Sequence, residues 1–144
     1  MVDMENFFNL VVFNYIYGNG DSHMKNFSLI RHGMDFRLAP AYDLLNTAIH
    51  VQGDDLGLDG GLSPNIEKSA VYDRTGHPCR LDFERFGRQI GLSQKRIDKI
   101  LDKYMSLPES AQALISSSFL NEKMKRSYLR IVLERIHRFV CASE

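Results

Sequence analysis

The 144-residue chain has no tryptophan, only two cysteines and four prolines, and no charge to spare, with eighteen basic residues balanced by eighteen acidic ones. Without a net positive field nothing global draws it to nucleic acid or to an anionic membrane, so direct contact with either is not expected. Cys79 and Cys141 lie far apart and form no Cys-x-x-Cys spacing, and the five histidines are scattered without a zinc pattern. A disulfide stays open, but a reduced, cytoplasmic chain with inert thiols is the plainer expectation. The opening Met1-Val2-Asp3-Met4-Glu5-Asn6 is acidic, unlike the basic start of a secretory signal. The longest apolar run, Leu10 to Phe13, is far too short to span a bilayer. No repeat, heptad array or low-complexity tract is present.

What remains is the composition of a globular protein, and the length suits one domain over residues 1–144. Residues 4–17 are apolar in nearly every direction around a helix, which predicts a buried helix stopped by Gly18 and Gly20. Phe27–Arg31 and Asp35–Leu38 flank His32-Gly33-Met34 and predict a short β-hairpin. From Gln52 to Gly61, glycine and aspartate predict loops. Ser63-Pro64 is expected to begin a brief helix, and Tyr72–Pro78 to be another loop. Beyond it, Asp82 is expected to cap a helix carrying Phe83, Phe86 and Ile90, and Ser93 one carrying Ile97, Ile100, Leu101, Tyr104 and Met105. A third helix, about Glu109 to Ser118, follows Pro108. Asn121 caps the last, with Met124, Tyr128, Ile131, Val132, Ile136 and Phe139 facing inward. Its basic residues, Lys123, Lys125, Arg126, Arg130, Arg135 and Arg138, should lie mostly on a solvated face. The expected fold is mainly α (α+β), a helical bundle with one small hairpin.

The chemistry concentrates in Gly18-Asn19-Gly20-Asp21-Ser22-His23-Met24-Lys25-Asn26-Phe27 and Ala39-Pro40-Ala41-Tyr42-Asp43. Asp21 and Asn26 stand at the Asp-x-x-x-x-Asn spacing of a kinase catalytic loop, and Asp43 follows the hairpin where a second metal-binding aspartate belongs. Magnesium takes few protein ligands, all hard oxygens, and the Asn26 amide and Asp43 carboxylate meet that demand. Asp21 is then free to accept a substrate hydroxyl proton, and Lys25 to neutralise a transferring phosphoryl oxygen. In isolation an Asp/Asn pair is more often a turn held by side-chain hydrogen bonds; the addition of Asp43 and the hairpin favours the catalytic reading. Tyr42 is expected in the core or hydrogen-bonded, and Asp54, Asp55 and Asp59 as loop acids.

Asn19-Gly20-Asp21-Ser22-His23-Met24-Lys25-Asn26-Phe27-Ser28 followed by Leu38-Ala39-Pro40-Ala41-Tyr42-Asp43-Leu44-Leu45 resembles the catalytic core of HipA-like serine/threonine kinases, the toxins of bacterial toxin–antitoxin modules. Arg80-Leu81-Asp82-Phe83-Glu84-Arg85-Phe86 and the helices after it extend the resemblance into that family's C-terminal lobe. It implies a phosphatidylinositol-kinase-like fold, ATP and Mg²⁺ as ligands, and a protein substrate of the aminoacyl-tRNA synthetase class. It further implies Asp21 as catalytic base with Lys25 in support, Asn26 and Asp43 as metal ligands, and His23 beside them in cofactor binding. A HipB-like DNA-binding antitoxin is the partner such kinases often have.

Only twenty residues precede Asp21, and Gly57, Gly60 and Gly61 do not make a nucleotide-binding Gly-x-Gly-x-x-Gly. The expectation is therefore a C-lobe whose nucleotide-binding N-lobe is absent and is supplied, for catalysis, by a longer chain or a separate one. The competing expectation is a non-catalytic module, or one half of a split kinase, that acts by engaging a partner protein.

Overall fold

The computed structural model describes residues 2–51, 53–58 and 61–140. Gln52, Asp59, Gly60 and Cys141, which enter the expectations above, lie outside them. The elements run α1 (Val2–Ile16), β1 (Leu29–His32), β2 (Asp35–Leu38), α2 (Ala70–Thr75), α3 (Arg80–Gln89), α4 (Gln94–Leu101), α5 (Glu109–Ser117) and α6 (Glu122–Val140), with single 3-10 turns at Met24–Asn26, Thr47–Ile49 and Asp102–Tyr104. The fold is mainly α with one two-stranded antiparallel sheet.

Helix α1 is the axis of the core, as its all-round apolar surface requires. Phe8, Val12, Tyr15 and Ile16 are almost wholly buried, each worth roughly 1.5–3 kcal/mol of apolar transfer. Phe8 meets Phe86 of α3 at 6.1 Å between ring centroids, Tyr15 meets Phe83 at 5.1 Å, and Phe83 meets Phe139 of α6 at 5.4 Å. These tilted arrangements avoid facing like-charged ring faces together. Gly87 lets α3 approach α4, because a Cβ there would stand 2.7 Å from Ile97.

Gly18 ends α1 with φ +78°, a conformation only glycine adopts freely, and the chain turns straight into the site. The hairpin pairs Leu29 with Leu38 and His32 with Asp35 across a Gly33-Met34 turn in which Gly33 has φ +62°. Positive φ at the first central residue suits the twist of a two-residue hairpin.

In the middle of the chain the expectations need correcting. Residues 63 and 64 begin no helix. The short helix starts instead at Ala70, where the Ser69 hydroxyl accepts from the Tyr72 amide, and it occupies most of the predicted Tyr72–Pro78 loop before Gly76 ends it. Asp82 is not the N-cap of α3. It sits one turn in and reaches back to accept from the Cys79 amide at 2.9 Å and from the Ser69 amide and hydroxyl at 2.7 and 2.8 Å. One buried carboxylate thus ties the starts of α2 and α3 together. The helix predicted through Met105 ends at Leu101 and tightens into the 3-10 turn 102–104. Glu109–Ser117 and the Asn121-capped α6 follow the sequence closely; the Asn121 side chain accepts from the Met124 amide.

The largest departure is Arg135. Expected on the solvated face of α6, it is only 5% exposed. It forms an ion pair with Asp55 at 3.1 Å and donates to the Tyr15 carbonyl. Arg138 reaches Asp55 at 3.4 Å, and His77 Nδ1 lies 2.6 Å from the same carboxylate, so two arginines and a histidine surround a largely buried acid.

Candidate functional site

The site is built on the C-terminal end of α1. Asn14, in the last turn of the helix, and Asn19, just beyond it, are both nearly inaccessible, and the Asn19 amide donates to the Asn14 side chain at 3.1 Å. The same amide donates to the backbone carbonyl of Asp43 at 2.9 Å. Asn19 also accepts from the Asp21 amide at 3.3 Å, and its carbonyl accepts from the Ser22 hydroxyl at 3.1 Å. One buried amide therefore positions both carboxylates on which the site depends.

Two further segments brace the loop from behind. Thr47 accepts from the Gly20 amide at 2.9 Å, and the Ala48 amide donates to the Gly18 carbonyl at 3.1 Å. The backbone around Gly57 lies so close to Ser22 that a side-chain carbon at residue 57 would overlap the Asp21–Ser22 main chain. A Cβ on Gly20 would stand 2.6 Å from the Asp54 carbonyl, so Gly20 acts by permitting close approach.

Asn26 and Asp43, seventeen residues apart, meet across the hairpin. The Asn26 amide donates to the Asp43 carboxylate at 3.2 Å and to the Asp21 carbonyl at 3.0 Å. Asp43 has φ +55° and is the one non-glycine residue with positive φ among the described residues. The left-handed conformation costs an ordinary residue on the order of 1–2 kcal/mol, and the Asn19 hydrogen bond holds it in place. With the amide nitrogen engaged, the Asn26 side-chain oxygen and the second Asp43 oxygen remain as two hard donors without a partner among the described residues. That donor set fits a small divalent cation which keeps most of its waters.

Asp21 points elsewhere. Its side chain is 69% exposed, and His23 Nε2 lies 3.9 Å from its carboxylate. His23, expected beside the metal ligands, thus lies next to Asp21 as well as at the start of the turn that carries Asn26. Its carbonyl accepts from the Asn26 amide and helps close the 3-10 turn. Lys25 is exposed, with its ammonium outside any hydrogen bond or ion pair among the described residues. Its carbonyl accepts from the Tyr42 hydroxyl at 2.9 Å, and that hydroxyl also lies 2.6 Å from Ser28 Oγ. Tyr42 is therefore the hydrogen-bonded aromatic of the two alternatives, a strut between hairpin and loop.

A cleft of about 1140 Å³ opens beside Asp21. Asp21, His23 and Lys25 line it, whereas neither Asn26 nor Asp43 does.

The family model of the HipA-like C-terminal domain matches residues 1–111. The chain belongs to this family. It is 46% identical over 56 residues to "Putative kinase Y4dM" of Sinorhizobium fredii, covering 37% of this chain and 13% of the relative. It is 44% identical over 39 residues to "Putative kinase Y4mE" of the same organism, covering 27% of this chain and 9% of the relative. The matched stretches thus span a small fraction of the curated relatives' lengths. Helix α6, which supplies Arg135 and Arg138, lies beyond the matched residues of the HipA-like domain.

Sequence reasoning did not single out Asn14, the bridging role of Asn19, or Asp55 with its arginine partners. A buried amide directly after a helix-ending glycine was the available signal for Asn19. No local signal joins Asp55 to an arginine eighty positions later.

Proposed function

We propose that this HipA-like domain is the catalytic lobe of a serine/threonine protein kinase that transfers the γ-phosphoryl group of Mg-ATP to a protein hydroxyl. The observation that carries this reading is the meeting of Asn26 and Asp43 across the hairpin at 3.2 Å, with Asp21 held on the same loop through its carbonyl while its carboxylate bonds to neither. Asn26 and Asp43 would hold magnesium through oxygen, and the bound ion would neutralise charge developing on the phosphates. Asp21 accepts the proton of the acceptor hydroxyl as its oxygen bonds to the γ-phosphorus and the bond to the departing ADP oxygen breaks. Lys25, exposed and unpaired among the described residues, offers a point charge to the transferring group.

The 144 residues contain no phosphate-covering glycine loop. Those contacts would come from a second lobe, carried by a longer form of the protein or by a separate chain. Titration calorimetry with ATP and Mn²⁺ in place of Mg²⁺, on protein supplied with that lobe, tests the metal assignment. Asp43→Ala should lower the affinity for the metal–nucleotide by tenfold or more; unchanged affinity would remove Asp43 from the metal site.

A second reading has its own support. Leu29, Phe36 and Leu45 are each more than 60% exposed on or just after the hairpin, an apolar surface suited to another protein. On that reading the chain engages a partner without turnover, and it binds no metal–nucleotide even when complemented.

A further inference from the structure

We infer that Arg135 is a positioning residue for Asp21: from α6, outside the residues matched to the HipA-like domain, it fixes the loop against which both chain neighbours of Asp21 rest. What Asp21 then does rests on the kinase reading; how it is held does not.

The supporting loop is residues 53–58. A Cβ on Gly20 would stand 2.6 Å from the Asp54 carbonyl, and one on Gly57 would stand 2.4 Å from the Ser22 nitrogen. Gly20 and Ser22 therefore lie directly on this loop, backbone against backbone, with no side chain between them that could rearrange to absorb a shift. Asp55 sits between these two contacts, and there α6 takes hold. One carboxylate oxygen of Asp55 accepts from Arg135 at 3.1 Å, and the other lies 3.4 Å from Arg138 and 2.6 Å from His77 Nδ1. Of these three side chains, that of Arg135 also bonds main chain. It donates to the Asp55 carbonyl at 3.4 Å and to the Tyr15 carbonyl, which accepts from the Gly18 amide as well. Arg135 thus joins the end of α1, where the Asp21 loop departs, to the loop that backs it. Arg138 already brings positive charge to Asp55 from a less buried position. What the buried arginine adds is its rigid fork of donors, which reaches side chain and main chain together where an ammonium is a single point.

Native-state hydrogen exchange on the full chain, without nucleotide, tests this directly. The amides of Gly20, Asp21 and His23 donate to Thr47 Oγ1, Asn19 Oδ1 and the Asp21 carbonyl, so their opening is measurable. Arg135→Lys keeps a cation beside Asp55 but loses the fork; exchange at these amides should rise by roughly two- to thirtyfold beyond any rise in α3 and α4. Arg138→Ala, which removes a bond to the carboxylate alone, should raise it less. Ile100→Ala, a cavity on the buried face of α4, controls for lost stability and should speed exchange without favouring the three amides. With the second lobe supplied, Arg135→Lys should slow single-turnover transfer while the affinity for metal–nucleotide stays at its native value. Unchanged exchange at Gly20, Asp21 and His23, or a rise spread evenly over α3 and α4, would overturn the proposal. Failure of the kinase reading is separate: the native protein would transfer no phosphoryl group, and the exchange pattern would still decide whether Arg135 holds the loop.

Discussion

At the scale of single residues, the site depends on amides as much as on acids. Asn19 holds the Asp43 carbonyl, the Asn14 side chain and the Asp21 amide at once. Asn19→Ala would leave the buried Asn14 side chain and two part-buried backbone groups without this partner, and it should destabilise the protein by about 1–3 kcal/mol in urea unfolding. Asp43 would lose its anchor in the left-handed conformation, so the variant should also bind metal–nucleotide more weakly; Asn14→Ala, which touches Asp43 only through Asn19, should have the smaller effect on that binding. The meeting of Asn26 and Asp43 was legible in the sequence because a short hairpin brings its two ends together and glycine marks its turn. The Asn14–Asn19 bridge was not, since a buried asparagine looks the same in sequence as one in a solvated turn.

At the scale of elements, the loop 53–58 is clamped between α6 and the loop that follows α1. Arg135→Met removes the best-buried partner of Asp55 and should cost about 3–5 kcal/mol, because it leaves a carboxylate in the interior with fewer compensating charges. The double variant Asp55→Leu/Arg135→Met should recover much of that loss, a coupling measured by a double-mutant cycle in urea. Gly57→Ala drives a methyl group into the Asp21–Ser22 backbone. A loss of about 1–3 kcal/mol is expected, with faster amide exchange at residues 20–24. The helices with a clean 3.6-residue pattern, α4 to α6, could be read almost to their ends. Helix α2 could not, since six residues carry barely one period and its stability comes from Ser69 and Asp82. Arg135 was misplaced for a related reason: charge alone predicts a solvated face, and only a distant carboxylate makes its burial favourable.

At the scale of the whole molecule, packing around α1 buries tyrosine hydroxyls, and this sets an alkaline limit. The Tyr104 hydroxyl donates to the Asn9 side chain at 3.0 Å, and burial, with a smaller contribution from Tyr17, pushes its pKa up to about 12. Tyr15 is raised in the same direction, mainly by burial. The folded state therefore holds these protons more tightly than the unfolded chain, whose tyrosines ionise near pH 10. Their contribution is complete below about pH 10 and is lost as the pH rises toward 12, so unfolding and tyrosinate absorbance should appear together in that window. Tyr104→Phe should lose the Asn9 hydrogen bond at neutral pH and shift the alkaline transition upward. Among the described residues no helix is long and apolar enough to cross a membrane. Membership of the HipA-like family and two relatives named as kinases agree with phosphoryl transfer without defining its acceptor. The most direct test is the single-turnover rate of γ-phosphoryl transfer from Mg-ATP, measured with the second lobe supplied, for the native protein and Asp21→Asn. The rate should fall by about 10²- to 10⁴-fold with metal–nucleotide affinity unchanged; transfer at the native rate would contradict the assignment of Asp21 and with it the account of the site.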